Sequence, residues 1–243
     1  MFLKQKDFAF APYSHEGFSG QKLLATRKSD GQKFIVKSAS AECACNEFLY
    51  FSIAKEFGLR TLDFYLFEKD ERCKTFTTGY AIAIEYIEDA SHIGSKSLGI
   101  SKNPMDYFAH RALASAFWEG DTFEMLTDKN HYIYRIDPTE SFGVDGVSIR
   151  MLDIGFKNFP SRVNHIISSI SSMSSYINEN HSSDECAVFK DTLEKLYLLP
   201  IKKIESIVDT ICQLYPKPLK QVYMNYFEDF KAAYESVKDC QSI

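Results

Sequence analysis

The chain has 243 residues, of which 45% are hydrophobic and 14% aromatic, enough to fill one large core or two small lobes and too apolar for a disordered chain. Its 28 Lys and Arg are outnumbered by 33 Asp and Glu, a net charge of -5, which argues against a nucleic-acid partner, because duplex binding relies on basic side chains that neutralise phosphates. No run approaches the roughly 18 apolar residues of a membrane span, and Met1 to Asp7 lacks the apolar stretch and small-residue cleavage site of a secretory signal.

In chain order, Phe8 to Tyr13, Lys22 to Thr26 and Lys33 to Lys37 read as short strands, separated by the turns Gly17-Phe18-Ser19-Gly20 and Ser29-Asp30-Gly31. Glu42 to Phe57 has helical period and stops at Gly58, while Leu62 to Phe67 and Tyr80 to Tyr86 return to strand. Residues 1–87 are therefore expected to form a small sheet-rich lobe with one helix, and the polar stretch 88–103 a linker. From Pro104, a helical lobe is expected to run to residue 243. Phe108, Ala109, Ala112, Leu113, Ala116, Phe117 and Phe123 form the stripe of its first helix. Tyr132 to Ile136 and Val147 to Leu152 read as a hairpin with a long loop. The serine-rich stretch 168–183 predicts a helix that frays into a mobile loop. Ile201, Ile204, Val208 and Ile211, then Leu219, Val222, Tyr226, Phe230, Ala233 and Val237, mark two further helices. The class expected is α+β, in two lobes.

The six cysteines make no Cys-x-x-Cys pair, and the six histidines show no metal spacing. Free thiols fit a reducing compartment, the cytoplasm of the producing cell or of a host cell.

Four features bear on chemistry, and each alone also has a plain structural reading as a turn, a strand end, a helix rim or a polar cap. The glycines of 17–20 would let backbone N–H groups approach a phosphate. Lys37 ends an apolar strand, where its ammonium could meet the phosphates of ATP. Glu47 shares a helix face with Tyr50, Phe51, Ala54 and Phe57. A carboxylate on such a face needs a partner, and Lys37 on the preceding strand is the natural one. Asp128 and Asp153 bracket the predicted hairpin, so its ends would bring them together. One would orient an acceptor hydroxyl and the other would hold Mg²⁺.

In this order the sequence resembles the HipA-like and phosphatidylinositol-kinase-like branch of the protein-kinase fold, and looks most like the small bacterial Ser/Thr kinases of the CtkA type. The resemblance covers roughly residues 8–160. It rests on Gly17-Phe18-Ser19-Gly20 with Lys22, Phe34-Ile35-Val36-Lys37, Asn46-Glu47, Thr127-Asp128-Lys129 and Leu152-Asp153-Ile154-Gly155-Phe156. It implies an ATP- and Mg²⁺-dependent kinase that acts on Ser or Thr of a protein and is capable of autophosphorylation. Lys37 would lie on phosphate with Glu47 paired to it, and Glu85, Tyr86 and Ile87 would be the adenine hinge. Asp128 would be the catalytic Asp and Asp153 a metal ligand. Two departures stand out. Lys129 replaces the usual Arg, and Ile133 occupies the position of the metal-binding Asn, which leaves Asn130 as the substitute if the loop is shortened, ahead of His131. A second placement takes Asp121 as the catalytic Asp and Asp137 as the metal ligand. It ranks lower because Asp137-Pro138 suits a turn and Gly155 follows Asp153. A kinase-fold module that works by contact, and a lipid or small-molecule kinase, are the alternatives of function.

Overall fold

The structure, a computed structural model, describes residues 2–13, 21–38, 41–68, 75, 80–93, 98–119, 123–142, 160–214 and 218–239. Its N-terminal part is a six-stranded sheet built from β1 (Phe2–Leu3), β2 (Phe8–Pro12), β3 (Gln21–Arg27), β4 (Lys33–Ser38), β5 (Phe64–Phe67) and β6 (Ile82–Glu85), in the order β1-β5-β6-β4-β3-β2. All pairs are antiparallel except β1 with β5. Between β3 and β4 the chain reverses through Gly31, whose φ of 75° is a conformation glycine adopts without steric cost. Strand alternation sorts the side chains of β4: Phe34 and Val36 join Phe8, Leu23, Ala25 and Phe67 in a small core on one face, while Ile35 and Lys37 point to the other.

α1 (Ala41–Glu56) lies against that second face. Ala44 to Phe51 are all buried, because the helix packs on β5 and β6 on one side and on α5 on another. It ends in a Schellman motif, with Leu59 N–H bonded to Ala54 O at 3.0 Å, Gly58 N–H bonded to Lys55 O at 3.0 Å and Gly58 at φ 75°.

The C-terminal part holds α2 (Pro104–Ala116), α3 (Pro160–Asn180), α4 (Ser183–Leu198), α5 (Ile201–Cys212) and α6 (Pro218–Val237), with a three-stranded antiparallel sheet of β7 (Ser91–His92), β8 (Glu124–Thr127) and β9 (Ile133–Ile136). α2 packs on α3 and α4, α3 on α6, and α6 on α5, around one large core that also takes in α1. Ser182 and Glu185 form a capping box at the start of α4.

Three expectations need correction. First, α2 stops at Ala116 rather than continuing to Phe123, since Trp118 has a left-handed backbone (φ 44°) that no helix continues. Second, Ile133–Ile136 has a partner that the sequence reading did not identify as a strand, Glu124–Thr127; the expected pairing with Val147 to Leu152 lies outside the described residues. Third, the serine-rich segment is an unbroken helix to Asn180, because Ile166, Ile170, Ser174 and Ile177 supply a buried stripe at helical spacing. Among the described residues, no helix is long and apolar enough to cross a membrane.

Where α1 meets α2, fully buried His110 stacks on Tyr50, with ring centroids 5.9 Å apart, and its Nδ1 lies 3.2 Å from the Tyr50 hydroxyl. Burial, aided by the nearby Arg135 guanidinium, pushes the imidazole from 6.5 down to about 3. The unfolded chain accepts a proton below pH 6.5 that the folded chain refuses until about pH 3. This site should therefore cost stability as pH falls through that window, by up to about 1.4 kcal/mol per pH unit. Urea unfolding of wild type and His110→Gln between pH 4 and 7 checks this: the variant's curve should be flatter over that range.

Candidate functional site

A cavity of about 560 Å³ opens between the sheet of the N-terminal part and the β7–β8–β9 sheet. Its roof is Lys22, Ile35 and Lys37, its back wall is Ile84 to Ile87, and its floor is Glu124, Leu126, Ile136 and Asp137. These positions follow from strand period: Lys22 and Lys37 are direct cross-strand partners, and so are Glu124 and Ile136. Tyr13, at the end of β2, meets Tyr86 edge to face across the opening at 6.3 Å.

Lys37 is the centre of the site. Its Nζ donates to Glu47 Oε1 at 2.9 Å and lies 2.8 Å from Asp137 Oδ1. Glu47 is 1% exposed, whereas Asp137 keeps 24% of its side chain open to the cleft. Burial alone would lower the Lys37 pKa, but the two carboxylates outweigh it and hold the ammonium above its ordinary range. Asp137 moves the opposite way: its burial is overcome by Lys37, with help from the Thr139 hydroxyl and Lys22, and it stays well below the usual carboxylate range. Glu47, with almost no access to water, is pushed upward by burial despite its lysine. The acid that faces the cleft is thus the more firmly ionised of the two.

The segment after β9 is tied to α1 at several points. Thr139 Oγ1 donates to Glu47 Oε1 at 2.6 Å and also bonds the Asp137 carboxylate. Asn46 Nδ2 donates to the Thr139 carbonyl at 2.8 Å, and its Oδ1 accepts from the Tyr223 hydroxyl of α6 at 2.7 Å. Asp137 itself has φ 54°, a left-handed backbone restricted further by the proline that follows. Such a conformation persists where the surroundings hold it, and it aims the carboxylate at Lys37.

The structure brings Lys37, Glu85, Tyr86 and Ile87 to one cavity, with Glu47 buried behind Lys37 and bonded to it. It does not bring Asp128 or Asn130 there. Asp128 opens the turn that joins β8 to β9. The Asp128 carboxylate accepts from Asn130 N at 2.8 Å, Tyr132 N at 2.9 Å and the Tyr134 hydroxyl at 3.1 Å. Partial burial works against ionisation, but those N–H donors prevail and keep its pKa low. Asp128 and Asn130 line a neighbouring depression that shares Leu62 and residues 85–87 with the cleft. Gly17, Phe18, Ser19, Gly20, Asp121 and Asp153 lie outside the described residues. Sequence reading gave no role to Thr139 or Glu124 and left Lys22 and Asn46 as bare motif letters. For Lys22 the signal was its place two residues past the glycine turn.

No protein-family model matches the chain, and no curated protein matches it. Its fold is similar to the solved structure of the Helicobacter pylori proinflammatory kinase CtkA, with a TM-score of 0.64 and 11% identity, over 99% of this chain and 100% of that one. The chain has a kinase-like two-lobed α+β fold.

Proposed function

We propose that the chain is an ATP- and Mg²⁺-dependent phosphotransferase whose acceptor is a Ser or Thr hydroxyl of a protein, its own chain included. The observation that carries this reading is one ammonium, Lys37, shared between a buried glutamate and an aspartate at the floor of a cleft. Glu47 fixes the lysine so that its charge falls on nucleotide phosphates. Two lysines directly opposite each other on one sheet face repel, and a polyphosphate between Lys22 and Lys37 would relieve that repulsion. The strand end 85–87 borders the same cavity and offers main-chain groups to the base.

The donor set suits Mg²⁺. Among the described residues, no three His, Cys, Asp or Glu side chains gather to hold a metal. The cleft does present Asp137 and Glu124, and Mg²⁺ is commonly bound through one or two carboxylates together with substrate phosphates. When bound, the ion would neutralise charge on the phosphate oxygens. Asp137 in this role goes with the second placement, in which Asp121, outside the described residues, would be the catalytic Asp.

A second reading, a nucleotide-holding module without transfer, draws support from Asn130: the candidate metal-binding Asn is in the neighbouring depression and not in the cleft. Thermal unfolding with ATP and Mg²⁺, run beside transfer from γ-labelled ATP, separates the two. Phosphotransfer predicts stabilisation of about 2.7 kcal/mol at a hundredfold excess over Kd, with label on the chain or on a generic protein acceptor. Stabilisation without label favours the module, and no response to ATP would sink both.

A further inference from the structure

Behind the cleft floor lies a fully buried arginine. On β9, Ile136 faces the cleft and Arg135 the opposite side, where it is 1% exposed. Its guanidinium bonds three acceptors: the Glu119 carboxylate, the Glu124 carbonyl at 2.5 Å and the Ile136 carbonyl. It also lies 4.5 Å from the centre of the Phe123 ring. The acceptors belong to the chain segments that surround the cleft acids. Glu124 is itself a cleft carboxylate, Ile136 directly precedes Asp137, and Glu119 ends the described part of the loop after α2.

Stability alone gives little reason to bury such a pair. Taking both charges out of water costs about as much as their attraction returns, and a well-packed apolar pair would do as well. What the guanidinium adds is geometry, because a planar fork with five N–H donors can hold several acceptors at fixed spacing, as an ammonium cannot.

We propose that Arg135 is a positioning residue, held by Glu119, which sets the separation of the Glu124 and Asp137 carboxylates and so tunes the affinity of the nucleotide-bound divalent cation. The proposal rests on the nucleotide reading of the cleft. Ligands oriented by outer residues typically lose 10- to 100-fold in metal affinity when those residues change.

The test is calorimetric titration of a non-hydrolysable ATP analogue, with and without Mn²⁺, into wild type, Arg135→Lys and Glu119→Gln, each first checked for folding by circular dichroism. The wild type should bind more tightly with Mn²⁺. Arg135→Lys should keep its metal-free affinity within about twofold, while its Mn²⁺-dependent gain falls about tenfold. If Arg135→Lys does not fold, Glu119→Gln, a neutral isostere that loosens the same guanidinium, carries the test and should show the same selective loss. A folded variant that keeps the full Mn²⁺ gain overturns the positioning role while leaving the nucleotide reading intact. A wild type that binds no analogue under either condition overturns both.

Discussion

Asp137→Asn is expected to lower phosphate transfer by on the order of 10³-fold, while Asp128→Asn stays within about twofold of wild type. The contrast follows from what each carboxylate does. Asp137 faces the cleft, ionised and 2.8 Å from the Lys37 ammonium, where the proposed reading needs a full negative charge opposite a cation and phosphates. The Asp128 carboxylate accepts two main-chain N–H groups in a turn, a task the Asn oxygen performs nearly as well. Initial rates with labelled ATP measure both variants. If Asp128→Asn is the inactive one, the chemistry belongs to the neighbouring depression and the assignment of the cleft is wrong.

Lys37→Met should abolish transfer, and it should also destabilise the fold in a pH-dependent way. Removing one partner of a fully buried ion pair costs about 3–5 kcal/mol; with Asp137 free to turn toward water, about 2 kcal/mol is expected near pH 7.5. The sign of the pH effect rests on Glu47, which cannot reach solvent. Its carboxyl already sits above its ordinary range, and without the ammonium it must rise further. A carboxyl whose folded pKa is raised favours the native state at low pH and penalises it as pH climbs. The deficit should therefore be larger at pH 8 than at pH 5. Urea midpoints at those two values decide, and a deficit that is equal or greater at pH 5 would show that Glu47 is not the group left stranded.

Much of the N-terminal part was legible because its signals are local. A glycine reversal at Gly31 separates β3 from β4, strand alternation puts Ile35 and Lys37 on one face, and Gly58 marks the end of α1. Glu47 was legible for a stronger reason, since a carboxylate amid Tyr50, Phe51 and Ala54 forces the search for a cation. The floor of the cleft was harder to read. β8 is four residues long, too short for alternation to stand out, and the backbone reversal at Trp118 that ends α2 leaves no mark in the periodicity. Asp137-Pro138 was read as a turn and weighed against function on that account, whereas the turn begins at Thr139. The left-handed backbone at Asp137 itself is what directs its carboxylate at Lys37. Asn46 could not be assigned because its partners, Thr139 and Tyr223, are 93 and 177 residues away in sequence.

That asparagine bears on how such a protein could be switched. Swinging α1 outward, the simplest way to part Lys37 from Glu47, would strand the Asn46 amide with neither the Thr139 carbonyl nor the Tyr223 hydroxyl. An intramolecular hydrogen bond of this kind is worth about 0.5–1.5 kcal/mol net. At rest the helix is latched to the segment after β9 and to α6 through this one side chain.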